Sequence, residues 1–195
     1  MVSFIELLVN GTGIAGWEFT LLCTVSFLGS LITTSVGVGG GTLTLATMAL
    51  LLPPVILIPI HGVVQLGSNF GRALLLYRFV IREIIPGFLV GTIIGAIVGG
   101  QVVVALPVEI LQIILSIFIL YTVWVPALKA YAVKKFTFVG IGAIGAFTTM
   151  FVGATGPLIA PFVVSISKDR KQIVGTHAGL MTIQHSFKLI VFGLI

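Results

Sequence analysis

The sequence contains a run of 53 residues, from 19 to 71, without a single Asp, Glu, Lys or Arg. As one continuous helix this run would be about 80 Å long, whereas the hydrocarbon core of a bilayer is about 30 Å thick. A chain that buries the run in lipid must therefore turn back within it. Further uncharged segments follow at Ile84–Val108, Ile110–Leu128 and Phe136–Ser167. The pattern predicts an all-α polytopic membrane protein.

The composition supports this fold class, since 58% of the 195 residues are hydrophobic and 8% are charged. The mean hydropathy of +1.27 lies outside the range of soluble globular domains. A net charge of +5 could indicate nucleic-acid binding, but the cations lie in short connections between apolar segments, so we expect no nucleic-acid partner. The positive-inside rule assigns these connections to the cytoplasm and predicts a multi-pass protein of the cell (inner) membrane. The connections carry Arg78 and Arg82; Lys129, Lys134 and Lys135; and Lys168, Arg170 and Lys171.

Glycine and proline divide the apolar sequence into eight predicted helices. Two of them, with 11 and 8 residues, are shorter than the about 20 residues that a crossing needs, and we predict half-helices there. The segments are Trp17–Val36, Thr42–Leu52 (short), Val55–Tyr77, Ile84–Gly100, Val108–Trp124, Phe136–Val152, Pro157–Val164 (short) and Gln172–Phe192.

The two halves of the chain are related by a constant offset of 116 residues, which indicates an internal duplication. The offset aligns two of the three histidines and two cations that lie within apolar helices. The pairs are Gly29 and Gly145, Thr33 and Thr149, Val36 and Val152, Gly37 and Gly153, Gly40 and Gly156, His61 and His177, Asn69 and His185, and Arg72 and Lys188.

The duplication predicts a domain organisation in four parts. Residues 1–16 carry an acidic residue and lack a basic region, so we expect an interfacial lead-in and not a cleaved signal peptide. The first repeat covers 17–124, a basic cytoplasmic linker covers 125–135, and the second repeat covers 136–195. Cys23, the single cysteine, lies in an apolar run, which favours a packed and unreactive thiol.

The number of membrane crossings between the two repeats determines their relative orientation. Each repeat opens with a helical hairpin that contains a glycine break, and three full crossings separate the two hairpins. An odd number of crossings turns the second copy upside down relative to the first. We therefore predict the inverted-repeat layout of secondary transporters.

Each repeat also contains a polar stripe at helical spacing along an apolar helix. For Gln65, Ser68 and Gln184, interhelical hydrogen bonds worth about 0.6 to 2 kcal/mol each explain the stripe as well as a functional role does. Arg72 could also snorkel to the cytoplasmic headgroups, whereas Lys188 lies too deep for this and favours a role in a transport pathway. The stripes consist of His61, Gln65, Ser68, Asn69 and Arg72, and of His177, Met181, Gln184, His185 and Lys188.

The motifs GVGGG (37–41) and GATG (153–156) interrupt helices inside the predicted membrane region. Such breaks are tolerated where they line a cavity, and the half-helix that follows directs free N–H groups and a positive dipole end towards it. The alternative is close helix packing, which we favour for Gly91, Gly95 and Gly99. The breaks and stripes together predict a site for a small anion. The candidate binding residues are Gly37, Gly39, Gly40, Gly41, Thr42, Gly153, Thr155, Gly156, Pro157, His61, Asn69, Arg72, His177, His185 and Lys188.

The stretches GVGGGTLTL and GATGPLIAP, each about 20 residues before a helix that carries a histidine, resemble the sulfite exporter TauE/SafE family of membrane permeases. The resemblance implies a secondary transporter that exports sulfite, sulfonates or related organosulfur anions by alternating access. It implies a small inorganic or organosulfur anion and the lipid bilayer as partners. The offset places the partners of Ile84–Gly100 and Val108–Trp124 beyond Ile195, so we expect a second repeat that lacks two helices and a chain truncated there.

Other classes of function fit less well. An enzyme is not expected, because HExxH, GxSxG and P-loop motifs and an acidic pair are absent from the sequence. We expect no resident cofactor or metal, although a membrane haem subunit that uses His61, His177 or His185 is one alternative and an anion channel is another. The ordinary histidine pKa of about 6.5 would let these side chains couple proton movement to transport. Association as a homo-oligomer stays open.

Overall fold

The computed structural model describes residues 13–37, 39–124 and 133–194, and these ranges form eight α-helices and no strand. The predicted lead-in up to residue 12, and 125–132 of the predicted linker with Lys129, lie outside the described residues. The helices are α1 (Gly16–Val36), α2 (Gly40–Leu51), α3 (Pro54–Leu75), α4 (Ile85–Ala105), α5 (Val108–Trp124), α6 (Thr137–Val152), α7 (Gly156–Ile166) and α8 (Arg170–Leu194), with two 3₁₀ turns at Tyr77–Phe79 and Arg82–Ile84 between α3 and α4.

All eight predicted segments form helices, which confirms the all-α fold class. Five begin earlier than predicted, two of them by two residues and for local reasons. α2 begins at Gly40 because Gly39, with φ at 103°, turns the chain directly into the helix. α8 begins at Arg170 because the Asp169 carboxylate accepts a hydrogen bond from the Gln172 N–H at 2.8 Å, which caps the helix.

The two predicted half-helices are short, with 12 residues in α2 and 11 in α7. Each is about 17 Å long, roughly half of a bilayer core. By contrast, Gly16–Ser35 and Arg82–Ala105 are long and apolar enough to cross a membrane on their own. Few residues of α1 are covered by other helices, and Cys23 is exposed. The expectation of a packed thiol is therefore wrong.

α4 and α6 form the most extensive helix pair and run parallel. A Cβ on Gly91 would overlap the Val139 carbonyl oxygen, and a Cβ on Gly95 would overlap that of Ala143. The absence of side chains at these positions lets the two backbones touch. The predicted packing role of the α4 glycines is confirmed.

α3 and α8, which carry the two polar stripes, pack against each other in antiparallel orientation. Gly62 of α3 contacts Lys188 and Leu189 of α8, while Leu76 just after α3 contacts Gly175 near the start of α8. These helices are equivalent under the 116-residue offset. Antiparallel packing of equivalent helices is the arrangement that an inverted repeat predicts.

Three basic connections meet at one end of the bundle. Lys135 forms a 3.1 Å salt bridge with Glu83, which joins the segment before α6 to the α3–α4 connection. Lys171, at the start of α8, lies 5.2 Å from the ring centre of Phe79 in the same connection. Described cations from all three predicted connections therefore share one side, as the positive-inside pattern predicts.

The α4–α6 contact predicts a sharp position dependence of stability. We expect Gly91→Ala to lower the free energy of unfolding by about 1–3 kcal/mol, because its Cβ must displace backbone atoms of α6. Gly140→Ala is the matched control, since no atom lies within 4 Å of the Cβ position there. Thermal unfolding in detergent measures both variants. Equal melting temperatures for the two would contradict the packing.

Candidate functional site

Both glycine breaks border one cavity beside α3 and α8. The cavity volume is about 30 Å³, which is room for about two water molecules. The sequence predicts these breaks as a pair, and the fold brings them to one place. The cavity is lined by Thr33, Gly39, Gly41, Thr42, His61, Gln65, Asn69, Arg72, Ala154, Gly156, Pro157, His177, Met181 and His185.

The first break turns the chain at two glycines in the left-handed region. The φ angles are 98° at Gly37 and 103° at Gly39, conformations that L side chains rarely adopt. The turn directs the start of α2 at the cavity, where Gly41 and Thr42 form part of the wall. Their N–H groups lie in the first helical turn and have no intrahelical acceptor. This half-helix therefore presents free donors and a positive dipole end to the cavity.

Gly40, also a predicted binding residue, has a packing role. A Cβ there would overlap the Gly29 carbonyl oxygen of α1, so this glycine allows α1 and α2 to touch. Its N–H donates to Thr33 Oγ1 at 3.1 Å. The hydroxyl of Thr33 thereby closes the hairpin and satisfies one of the amides at the start of α2.

The second break has fewer free amides. The turn occurs at Gly153, with φ at 82°. Pro157 has no N–H, and the Leu158 N–H donates to Thr155 O at 3.0 Å. Of the first three residues of α7, this leaves the N–H of Gly156 without an intrahelical acceptor. The two breaks are therefore equivalent in sequence but differ in the number of free N–H groups.

His61 connects the two breaks. Its Nε2 lies 3.0 Å from Gly41 O and its Nδ1 lies 3.1 Å from Gly153 O. The side chain is fully buried, and Thr149 Oγ1 also donates to Gly153 O, at 3.2 Å. Both neighbours of the imidazole are carbonyl oxygens, which only accept hydrogen bonds. A neutral imidazole carries one N–H and donates to one of the two carbonyls, so the break that it bonds depends on the tautomer.

The other two histidines are buried on α8. His177 Nε2 lies 3.1 Å from Gly156 O, so each repeat places a histidine against the backbone of its own break. The His185 ring packs edge-on against that of His61, with 6.3 Å between centroids. Its Nδ1 is buried without a hydrogen-bond partner among the described residues.

Arg72 is held inside the bundle and does not snorkel to the headgroups. It is 7% exposed, and its guanidinium donates to Asn69 Oδ1 at 3.0 Å and to Ser68 Oγ at 3.3 Å. Asn69 in turn donates to Gln65 O at 2.8 Å. This network along one face of α3 fixes a permanent cation in the cavity wall.

Lys188 is fully buried but lies behind the cavity wall. A Cβ on Gly153 would be 3.7 Å from Lys188 Nζ and 3.3 Å from His61 Nδ1. The amine is therefore close to the histidine that joins the two breaks. Among the described residues it has no hydrogen-bond or ion-pair partner.

Two threonine hydroxyls at the breaks are buried without a partner in the described part of the chain. Thr42 Oγ1 follows the first break and belongs to the cavity wall, and Thr155 Oγ1 lies in the second break. A buried hydroxyl without a hydrogen bond costs about 1–3 kcal/mol. Such groups next to a cavity are suited to hydrogen-bond a ligand.

The cavity wall contains most of the predicted binding residues, but five of them lie outside it: Gly37, Gly40, Gly153, Thr155 and Lys188. The prediction omitted two stripe residues of the wall, Gln65 and Met181, which are equivalent under the repeat offset. Their position one turn after each histidine was the signal that could have found them. The wall also contains Thr33 and Ala154. Binding of a substrate by these residues stays a prediction.

A haem site does not suit this geometry. Both ring nitrogens of His61 face backbone carbonyls, and a nitrogen of His177 does so too. A cavity of about 30 Å³ has no room for a macrocycle. The described residues also contain no group of three or more His, Cys, Asp or Glu placed to hold a metal ion.

The contacts of His61 predict an unequal cost of removing the two equivalent histidines. We expect His61→Leu to lower the free energy of unfolding by about 1–3 kcal/mol, because it removes contacts to two breaks. His177→Leu removes one such contact and should cost about half as much. Thermal unfolding in detergent compares the two, and a larger loss for His177→Leu would contradict the bridging role.

Comparison with known proteins gives one positive result. Searches of curated proteins and of solved structures found no match. The family model described as sulfite exporter TauE/SafE matches residues 22–195, which include both breaks, both polar stripes and the cavity. Members of this family are membrane transporters. The chain therefore belongs to the sulfite exporter TauE/SafE family.

Proposed function

We propose that the chain exports small sulfur oxyanions, sulfite first and sulfonates or related organosulfur anions second, across the cell (inner) membrane. The cavity is the proposed binding site, and alternating access of the two inverted repeats is the proposed mechanism. One observation carries the proposal: a buried, basic cavity lies where two broken helices meet. The family description, sulfite exporter, supports the choice of substrate class and of transport direction in this proposal.

The charge of the cavity favours an anion. Arg72 and three histidines line it, and none of the lining residues in the described ranges is acidic. The described acidic residues, Glu18, Glu83, Glu109 and Asp169, lie at the beginnings of helices or in connections. A buried cation without a counter-charge is costly inside a membrane. An anion in the cavity would remove that cost.

The available donors suit an oxyanion. The Thr42 hydroxyl, the first amides of α2 and the Arg72 guanidinium come from the first predicted repeat, and Gly156 and His177 come from the second. Sulfite has three oxygens arranged around one sulfur, so donors from the two repeats can each bond a different oxygen. Hydrogen bonds between charged partners are about twice as strong as neutral ones.

The cavity volume bears on which anion binds. About 30 Å³ suits a compact ion with few heavy atoms, and an organic group on a sulfonate would need the walls to move apart. We therefore expect sulfite to bind more tightly than sulfonates in this closed arrangement. Transport of either anion requires the cavity to open further.

Access differs between the two breaks. Gly39 is exposed while it lines the cavity, whereas Gly153, Ala154 and Thr155 are all buried. The closed side is therefore the second break. In the proposed cycle the repeats, 17–124 and 136–195, exchange these roles, so that the second break opens as the first one closes.

Sulfite flux into proteoliposomes tests the proposal. We expect Arg72→Gln to lower the flux about 10- to 100-fold, because it removes a charge-assisted hydrogen bond to the anion. Arg78→Gln is the matched control, since Arg78 is exposed and bonds the Tyr77 hydroxyl outside the cavity. Labelled sulfite measures the flux. An absence of flux in the wild-type chain, or equal flux in both variants, would overturn the assignment of this cavity.

The unpartnered hydroxyl of Thr42 provides a test that separates binding from stability. Thr42→Val should leave the melting temperature unchanged or raise it, since it removes an unsatisfied buried hydroxyl. It should weaken sulfite binding about 10- to 100-fold, because a hydrogen bond to a charged group is worth about 1.5–3 kcal/mol. Thr92→Val is the control, because the Thr92 hydroxyl is also buried and unpartnered but does not line the cavity. Calorimetric titration with sulfite measures the affinity, and equal effects in both variants would exclude Thr42 from the site.

A further inference from the structure

Lys188 carries an amine in surroundings that do not compensate its charge. It is 0% exposed, its Cδ and Cε lie 3.5 and 3.4 Å from the position of a Cβ on Gly62, and its Nζ has no partner among the described residues. An ammonium buried in this way costs several kcal/mol unless a counter-charge approaches. A lysine, unlike an arginine, can lose its proton when it is buried. In the empty site the amine is therefore more stable without its charge.

The groups around Lys188 add positive and not negative charge. His185 lies one turn before it on α8, and His61 faces it from α3. Arg72 on α3 and His177 on α8 complete the basic groups of the site, and the breaks contribute backbone and threonine hydroxyls. None of the described acidic residues belongs to this cluster.

The contacts of His61 link its protonation to that of Lys188. Its two nitrogens face the carbonyl oxygens of Gly41 and Gly153, so a second proton on the ring would gain a hydrogen bond, but the ring is fully buried and lies next to Lys188. A proton on either of these two side chains therefore disfavours a proton on the other. An anion in the cavity, which His61 and His185 line, favours the protonated form of the basic groups near it.

We propose that Lys188 takes up a proton when the anion enters the cavity and releases it when the anion leaves, so that this carrier moves protons together with its substrate. The amine becomes an ammonium by forming an N–H bond with a proton from a solvent hydronium ion, whose O–H bond breaks and which becomes a neutral water molecule. This inference rests on the proposed function and assigns a different task to each cation: Arg72 binds the anion, and Lys188 carries the accompanying proton. The transported charge is thereby partly neutralised before it crosses the apolar interior.

The test measures protons and anions in the same vesicles. Proteoliposomes that contain a trapped pH-sensitive dye and labelled sulfite report the number of protons moved per sulfite. We expect Lys188→Met and Lys188→Gln to lower this ratio by about a proton relative to the wild type, because neither side chain can titrate. Since every variant carries the same anion, protons that sulfite itself binds cancel in the comparison. Lys168→Met, which removes an exposed lysine of the α7–α8 connection, should keep the wild-type ratio.

The possible outcomes separate the two proposals. Sulfite flux with the same proton ratio in all variants would overturn the role of Lys188 and leave sulfite transport intact. No flux in the wild type would overturn sulfite transport and this inference with it. Because Lys188→Met removes an uncompensated buried amine, we expect its melting temperature to equal or exceed that of the wild type. If both Lys188 variants fold and fail to bind sulfite, Lys188 belongs to binding itself, and its role as a proton carrier is wrong.

Discussion

The contacts of His61 with Gly41 and Gly153 join the two interrupted helices on which the site depends. A helix that breaks inside a membrane leaves backbone groups without water to bond, so other parts of the protein must satisfy them. Here Thr33 serves the first break, Thr149 serves the second, and His61 serves both. The same side chain that closes the backbone hydrogen bonds also lines the cavity. The contacts that stabilise the breaks therefore also set the chemistry of the cavity.

The two predicted repeats share the order of break and polar stripe but differ in their contacts. The first break has several glycines and directs the free amides of α2 at the cavity, whereas proline and an internal hydrogen bond leave the second break with fewer donors. The equivalent cations differ as well. Arg72 is held by Asn69 and Ser68 in the cavity wall, while Lys188 lies behind the wall without a partner. A permanent charge and a titratable charge therefore occupy equivalent positions, which is how a duplicated scaffold can separate anion binding from proton binding.

Much of this fold could be predicted from the sequence, because a bilayer permits few alternatives for a long apolar run. Glycine and proline set the helix boundaries to within a few residues, and the 116-residue offset identified the equivalent breaks and stripes. Contacts between residues that lie far apart in the chain could not be predicted from the sequence. A glycine sequence cannot distinguish Gly40, which packs on Gly29, from Gly39, which lines the cavity. Helical periodicity likewise placed Lys188 on the stripe but could not show that its amine stops behind the wall. Cys23 was predicted as buried because apolar neighbours do not reveal which face of a membrane helix meets lipid.

The distribution of packing indicates which parts of the carrier would move. α4 and α6 touch backbone to backbone through their glycines, an arrangement that resists sliding because any displacement creates overlap. The α1–α2 hairpin is internally close but is joined to the rest by fewer bonds, among them Ser30 to Ser68 at 2.8 Å and Arg170 to the Ser35 carbonyl. Its glycine turn is also the exposed side of the cavity. We infer that α4 and α6 form a fixed frame that joins the two predicted repeats, and that the first hairpin and α7 move against it. Such movement would separate Gly41 from His61 and so change the hydrogen bonding of the imidazole at the moment the anion gains access. Opening of the first break would therefore remove one of the contacts through which His61 joins it to the second break.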